Sequence, residues 1–379
     1  MRIAFVLWEG RLGGGEKMTA ELAGGLRAGG IDASLFFVRD AADLAIELER
    51  REIPYRNYGA PNARRAMLGF RRFVNEAMEV APDGIVLPNV GHLAITLRLG
   101  GYKAPLLAIQ HGDLYLIDQM SLMPKARRRF ERSVGVRLID AEVAVSDHIL
   151  ADIMRQAHPR RVARIHHGVD LQRFTPEPDT RDPKRCVIGC ASRMVKGKGV
   201  TELVRAFAQV AAEDSAVTLR IAGDGPARTD VADLVRSLSL EARVDMPGVA
   251  QDMPAFWRDV DIAVMPSVLP ESFGLVALEA MAVGRPVVAT RNGGIVEVVD
   301  DGVTGTLVDP GDSDALARVL LDYVHDDDRR RNEGRAGRER CESHFDLRGC
   351  VATYARLLHE LTQAKRGYAR GANVVAAES

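Results

Sequence analysis

The sequence predicts an α/β protein built from two Rossmann-like domains in tandem. Three observations carry this. Apolar, β-favouring runs alternate with amphipathic segments from the first residue; the alternation restarts after residue 185; and 379 residues exceed what one hydrophobic core usually organises. Hydrophobic residues make up 46% and charged residues 27%, the balance of an ordinary globular chain. With aromatics at only 5%, the core is expected to be aliphatic.

Residues 2–8 read as a buried strand because the apolar run is continuous and β-favouring. Gly10 to Gly15 form a loop, residues 16–28 a helix, and Gly29 and Gly30 close it, as glycines after a helix commonly do. Residues 32–38 give the second strand. Further strands are predicted at 84–87, 105–109 and 141–145, with the basic segment 124–137 as a helix between the last two. Residues 171–185, with Phe174-Thr175-Pro176-Glu177-Pro178 and Asp182-Pro183, form a polar, Pro-bearing link. Beyond it, strands are expected at 186–191, 217–222, 243–246, 261–265 and 286–289, and helices at 200–212, 228–238 and 274–283. Such alternation implies parallel sheets covered on both faces. The domains are thus predicted at 1–170 and 186–346. A helix over 347–370 is expected to cross back onto the first domain, leaving 371–379 as a tail.

The formal net charge of -1 argues against nucleic acid as a partner. Residues 1–170 carry 24 basic and 20 acidic residues, and the remainder 27 and 32. The basic excess collects at Arg50, Arg51, Arg56, Arg64, Arg65, Arg71 and Arg72, and at Lys125, Arg127, Arg128, Arg129, Arg132 and Arg137. Two readings stand: solvated helices, or a weak peripheral contact with an anionic membrane through these segments and Met67, Leu68, Phe70 and Phe73. The four cysteines, Cys186, Cys190, Cys341 and Cys350, make no C-x-x-C pair, and no His cluster completes a metal site, so buried reduced thiols are expected. The opening apolar run is too short for a signal sequence, and no stretch reaches the roughly 18 apolar residues of a membrane span. A cytoplasmic protein, at most peripheral at the inner membrane face, is expected.

The sharpest feature is Glu271-Ser272-Phe273-Gly274-Leu275-Val276-Ala277-Leu278-Glu279. A helix starting near Gly274 leaves the N–H groups of Phe273, Gly274 and Leu275 unpaired at a strand's carboxyl end, a ready phosphate site. Glu271 can accept hydrogen bonds from sugar hydroxyls, and Glu279 can grip vicinal ribose hydroxyls. An ordinary helix with acidic residues in its first turns is the bland alternative. Arg193 and Lys198 flank a Gly-bearing loop after residues 186–191, and an arginine fork with a lysine point charge suits a diphosphate. Ala222-Gly223-Asp224-Gly225-Pro226 ends the next strand on the same face. In the first domain, Gly13-Gly14-Gly15-Glu16 follows the first strand, without the full glycine register that a nicotinamide site needs. His111, in Gln110-His111-Gly112-Asp113, ends another strand; Asp113 is a weaker candidate.

These residues resemble the retaining glycosyltransferases of family 4, which have the GT-B fold, two Rossmann-like domains facing across a cleft. Their paired glutamates match Glu271 and Glu279, followed by Ala280-Met281-Ala282, Pro286-Val287-Val288-Ala289-Thr290 and Gly293-Gly294. Their Arg and Lys diphosphate clamp maps onto Arg193 and Lys198. His167-Gly168-Val169-Asp170 resembles an interdomain segment that more often begins with Asn. Gly14 and Gly15 match a loop that faces the donor, and His111 a position close to the transferred sugar. The resemblance is densest from 186 to 310. It implies a metal-independent, retaining hexosyltransferase that uses a nucleoside-diphosphate sugar (a UDP- or GDP-sugar), needs no cofactor, and acts on an acceptor the sequence does not identify. A sugar-nucleotide epimerase, a pyridoxal-dependent phosphorylase or a non-catalytic nucleotide-sugar sensor are the rival readings.

Overall fold

The computed structural model describes residues 1–10, 13–59, 74–76, 81–112, 122–177 and 185–375, with the side chains of 122–125 and 366–375 outside that description. The backbone divides into two units, Met1–His166 with Leu347–Ser379, and His167–Asp346.

The first unit runs β1 (Arg2–Leu7), α1 (Gly14–Ala28), β2 (Asp32–Phe37), α2 (Leu44–Arg50), β3 (Tyr55–Asn57), β4 (Gly84–Leu87), α3 (His92–Leu99), β5 (Leu106–Gln110), α4 (Leu122–Leu138), β6 (Ala141–Ala144), α5 (Asp147–Gln156) and β7 (Val162–Arg164). The strands form one parallel sheet in the order β3-β2-β1-β4-β5-β6-β7. Strand order reverses between β1 and β4, where Ile3 pairs with Gly84. Val6, Ile85, Leu87, Leu106 and Ala108 bury one face of the sheet against Leu93 and Leu97 of α3 and Val136 of α4.

The second unit runs β8 (Cys186–Ala191), α6 (Val200–Glu213), β9 (Val217–Ala222), α7 (Arg228–Ser237), β10 (Val244–Gly248), α8 (Met253–Arg258), β11 (Ile262–Met265), α9 (Leu275–Ala282), β12 (Val287–Thr290), α10 (Ile295–Val298), β13 (Gly305–Val308), α11 (Ser313–His325) and α12 (Asp327–His344). Its sheet is parallel with order β10-β9-β8-β11-β12-β13, the doubly wound arrangement in which ligands meet the carboxyl ends where the order reverses. That point lies between β8 and β11. Ile188, Cys190, Leu219, Ile221 and Val264 pack beneath Leu203 and Phe207 of α6 and Leu316 and Leu320 of α11.

α13 (Leu347–Val375) packs on the first unit. Gly25 of α1 lets it approach so closely that a Cβ there would fall 2.5 Å from Val351, and Lys365 pairs with Asp140 at 2.7 Å. Tyr354, Leu357, Leu358 and Leu361 are buried. Among the described residues, no helix is long and apolar enough to cross a membrane.

One sequence expectation needs correction, that of Arg132, and two further placements bear on the reading. The segment read as a polar link over 171–185 starts packed against the second unit: Phe174 is buried, and Arg338 of α12 donates to the Phe174 and Leu171 carbonyls. The Asp326-Asp327-Asp328 run begins a helix. Asp326 accepts from the Arg329 N–H as a cap at 2.8 Å and Asp327 pairs with Arg330 and Arg331, because carboxylates complement the positive end of the helix dipole. Arg132 does not belong to a basic surface: it is 3% exposed and forks onto fully buried Glu142 at 2.5 and 2.9 Å, the bidentate pairing a buried guanidinium requires.

Candidate functional site

The carboxyl edge of the second sheet is assembled from three loops held together through glycines. The loop after β8 carries Arg193 and Lys198, and ends in Gly199, left-handed at φ 70°. A Cβ on Gly199 would fall 1.7 Å from the Pro266 carbonyl oxygen of the loop after β11, so only glycine lets these two segments cross. The Gly197 carbonyl accepts from the Val268 and Leu269 N–H groups at 2.9 and 3.0 Å. On the other side, the Asp224 carbonyl accepts from the Met194 N–H at 2.8 Å, so the glycine loop after β9 supports the backbone beside Arg193. The Arg193 side chain is exposed and makes no ion pair among the described residues.

The loop after β11 brings Glu271 to the same point. Lys198 Nζ lies 2.6 Å from Glu271 Oε1, across 73 residues of sequence, and the Ser267 hydroxyl donates to that same oxygen. The Glu271 backbone is fixed to the loop after β12, with its N–H donating to the Asn292 carbonyl at 3.2 Å and its carbonyl accepting from Gly294 at 2.6 Å. Gly274, left-handed at φ 116°, caps α9 with no side-chain hydrogen bond. The amides of Phe273, Gly274 and Leu275 stand at this helix start, ahead of any intrahelical acceptor. Glu279 sits one turn further along α9 and is 8% exposed. The Phe273 side chain is buried, edge-on to His167 at 5.4 Å and to Phe345 at 5.9 Å. Lys198, Glu271, Gly274 and Arg193 therefore meet at one sheet edge.

In the first unit, Gly14 and Gly15 begin α1 after β1, and His111 follows β5. A Cβ on Gly15 would lie 3.1 Å from the His111 ring, so the glycine admits the imidazole against the helix start. The Nε2 atom of His111 is enclosed, and burial pushes the imidazole pKa down to about 4, leaving it neutral at pH 7. Asp113 lies outside the described residues, as do Arg64, Arg65, Met67, Leu68, Phe70, Arg71, Arg72 and Phe73. Of the remaining basic residues, Arg50 and Arg51 pair with Glu47, Arg56 with Glu76 and Arg127 with Glu131, and Arg127, Arg128 and Arg129 are exposed on α4 beside Phe130, itself 67% exposed.

Sequence reasoning missed Ser267, the hydrogen-bonding role of Thr290, which it named only as the end of a matching stretch, and a pair at the first unit's own reversal point, where Trp8 meets His92 edge-on at 5.1 Å. Ser267 sits four residues before Glu271 at a strand end, and that spacing was its one available signal. A depression of about 610 Å³ at the opposite, amino-terminal edge of the second sheet is lined by charges that pair among themselves, such as Arg220 with Asp245 and Asp259. No group of three or more His, Cys, Asp or Glu side chains suited to a metal occurs among the described residues.

Comparison with known proteins agrees with this geometry. Residues 172–340 match the model of glycosyl transferases group 1, and residues 12–173 that of Glycosyltransferase Family 4. The chain is 34% identical over 229 residues to a D-inositol 3-phosphate glycosyltransferase of Corynebacterium kroppenstedtii, covering 55% of this chain and 50% of that one. It is 30% identical over 283 residues to the putative colanic acid biosynthesis glycosyltransferase WcaL of Escherichia coli, covering 72% and 68%. It spans about half to three-fifths of the length of the first curated relatives it matches. Among solved structures, Anabaena HepE in complex with UDP-glucose superposes with a TM-score of 0.81 at 24% identity, over 95% of this chain and 100% of that one, a likeness of fold. Two parallel doubly wound sheets, a lysine and glutamate joined where the second reverses, and these matches together make the chain a member of the family 4 glycosyltransferases, with the GT-B fold.

Proposed function

We propose that the chain is a retaining glycosyltransferase that moves a sugar from a nucleoside-diphosphate donor to an acceptor, without a metal. The observation that carries this is the 2.6 Å contact of Lys198 with Glu271 where the second sheet reverses, a cation and a carboxylate beside a helix start whose N-cap glycine supplies no side-chain cap. Lys198 and Arg193 take the diphosphate, with the amides of Phe273, Gly274 and Leu275 as further donors. Glu279 takes the ribose and Glu271 the sugar hydroxyls. As the leaving phosphate develops charge, these fixed cations and dipoles stabilise it, which is the electrostatic route to rate. The acceptor attacks the face from which the nucleotide leaves, and the leaving phosphate oxygen takes its proton. In the first unit, Gly14 and Gly15 offer amides at the start of α1, and His111 acts as a neutral hydrogen-bonding group close to the transferred sugar. The UDP-glucose complex of the HepE structure favours a uridine nucleotide.

Calorimetric binding of UDP, GDP, ADP and dTDP, in the presence of chelator, to the wild type and to Glu279→Ala tests this. One nucleotide binding the wild type tightly, and the variant weakly, supports the assignment; no binding at all removes it. Hydrolysis or transfer of the sugar then separates a transferase from an epimerase or a sensor. We also assign the exposed face of α4, with Arg127, Arg128, Arg129 and Phe130, to a weak contact with an anionic membrane. Cosedimentation with anionic vesicles that fails to respond to salt would remove that contact.

A further inference from the structure

At this site one ammonium group faces two claims. Lys198 Nζ is bound to Glu271 Oε1 at 2.6 Å, yet the proposed donor brings a diphosphate that needs the same cation. If Lys198 turned to the phosphates and nothing else held Glu271, its carboxylate would be left to rotate next to new negative charge. The Ser267 hydroxyl prevents that. It donates to the same Oε1 atom, so that oxygen keeps a second donor if Lys198 turns away, while no described side chain donates to Oε2. Ser267 is itself buried and fixed: the Thr290 hydroxyl, at the end of β12, donates to the Ser267 carbonyl at 2.6 Å, and Asn292 Nδ2 donates to the next carbonyl, of Val268, at 2.6 Å. Two strands of the sheet thus set the orientation of one carboxylate through one serine.

We infer that Ser267 is a positioning residue that keeps Glu271 aimed at the donor sugar when Lys198 shifts to the diphosphate, with Thr290 fixing Ser267 in turn. The inference rests on the reading of Glu271 as the sugar contact. It separates two kinds of affinity: Ser267 serves the sugar and leaves the nucleotide alone.

The test measures Kd for the free nucleoside diphosphate and for its sugar conjugate, together with kcat, for the wild type, Ser267→Ala, Thr290→Val and Glu271→Gln. For Ser267→Ala, the free nucleotide is expected to bind within about twofold of wild type, while binding of the sugar conjugate or kcat falls roughly 10- to 100-fold, the scale of one hydrogen bond to a charged group. Thr290→Val is expected to show the same selective pattern at smaller size, and carries the test alone if Ser267→Ala does not fold. Equal losses for nucleotide and conjugate would mean a general collapse of the loop and overturn the inference, as would no loss in either. Wild-type nucleotide binding that fails, or Glu271→Gln behaving as wild type toward the conjugate, would instead overturn the underlying reading of the site.

Discussion

Lys198 and Glu271 are about three-quarters enclosed, at 25% and 22% side-chain exposure, and their contact is short. Pairs of this partly exposed kind contribute about 0–1 kcal/mol to stability, so the pair is better explained by chemistry than by folding. Lys198→Ala and Arg193→Ala are each expected to slow transfer by about 100-fold or more, the scale of one lost oxyanion donor, while thermal stability changes little. Near-normal turnover in either variant would remove that residue from the diphosphate clamp. His111 makes the opposite case, because its environment shows in its protonation. Burial lowers its imidazole pKa from the ordinary 6.5 to about 4. Between those values the unfolded chain takes up a proton that the folded chain refuses, so acidification across that window removes stability. NMR of the imidazole should show a titration midpoint near 4, and His111→Gln should flatten the stability profile between pH 6.5 and 4. A midpoint near 6.5 would end this account.

Loops crossing at the second sheet's edge depend on backbone as much as on side chains. Gly199 and Gly302 both have positive φ, 70° and 76°, but only Gly199 has a neighbour where a Cβ would go. Gly302→Ala is expected to cost about the 1–2 kcal/mol of a left-handed non-glycine residue. Gly199→Ala must also displace the Pro266 carbonyl, so its denaturant midpoint should fall further and nucleotide binding should weaken with it; equal midpoints would show that the loops give way freely. Such contacts explain what was legible in the sequence. Buried strands were visible as apolar runs, and Cys186–Ala191, Val217–Ala222 and Gly84–Leu87 match the reading residue for residue. Tyr55–Asn57 and Val162–Arg164 were missed because three-residue edge strands, half-exposed, leave no periodic signal. Glu271, Lys198 and Arg193 stood out in the sequence because glycines and helix starts draw the eye to possible phosphate sites, and the structure brings Lys198 and Glu271 into contact. The roles of Ser267 and Thr290 were not visible, since they lie in hydrogen bonds between separate loops, and a hydroxyl near a strand end is too common to stand out. The fate of Arg132 was equally hidden: its partner Glu142 lies on the following strand, and in sequence it looked like one more cation on a basic helix.

Across the whole molecule, the first unit is made from two stretches of chain with the second unit's residues between them. Its closing piece, α13, lies against α1 at Gly25, where no side chain intervenes. Gly25→Leu in the intact chain is therefore expected to loosen α13 and speed its proteolytic removal, while nucleotide affinity, which we propose resides in the second unit, stays at the wild-type value. Unchanged protection of α13 would mean that Tyr354, Leu357 and Leu358 hold it without the close approach. The same discontinuity fixes a timetable during synthesis. Residues 167–346 leave the ribosome as one continuous block and can close their own sheet at once, whereas the first unit, begun earlier, lacks α13 until that block has passed. At about 5–20 residues per second, the wait lasts roughly ten to forty seconds. For that interval the face of α1 around Gly25 is a nascent surface open to chaperones, and of the two units the one begun earlier is completed later.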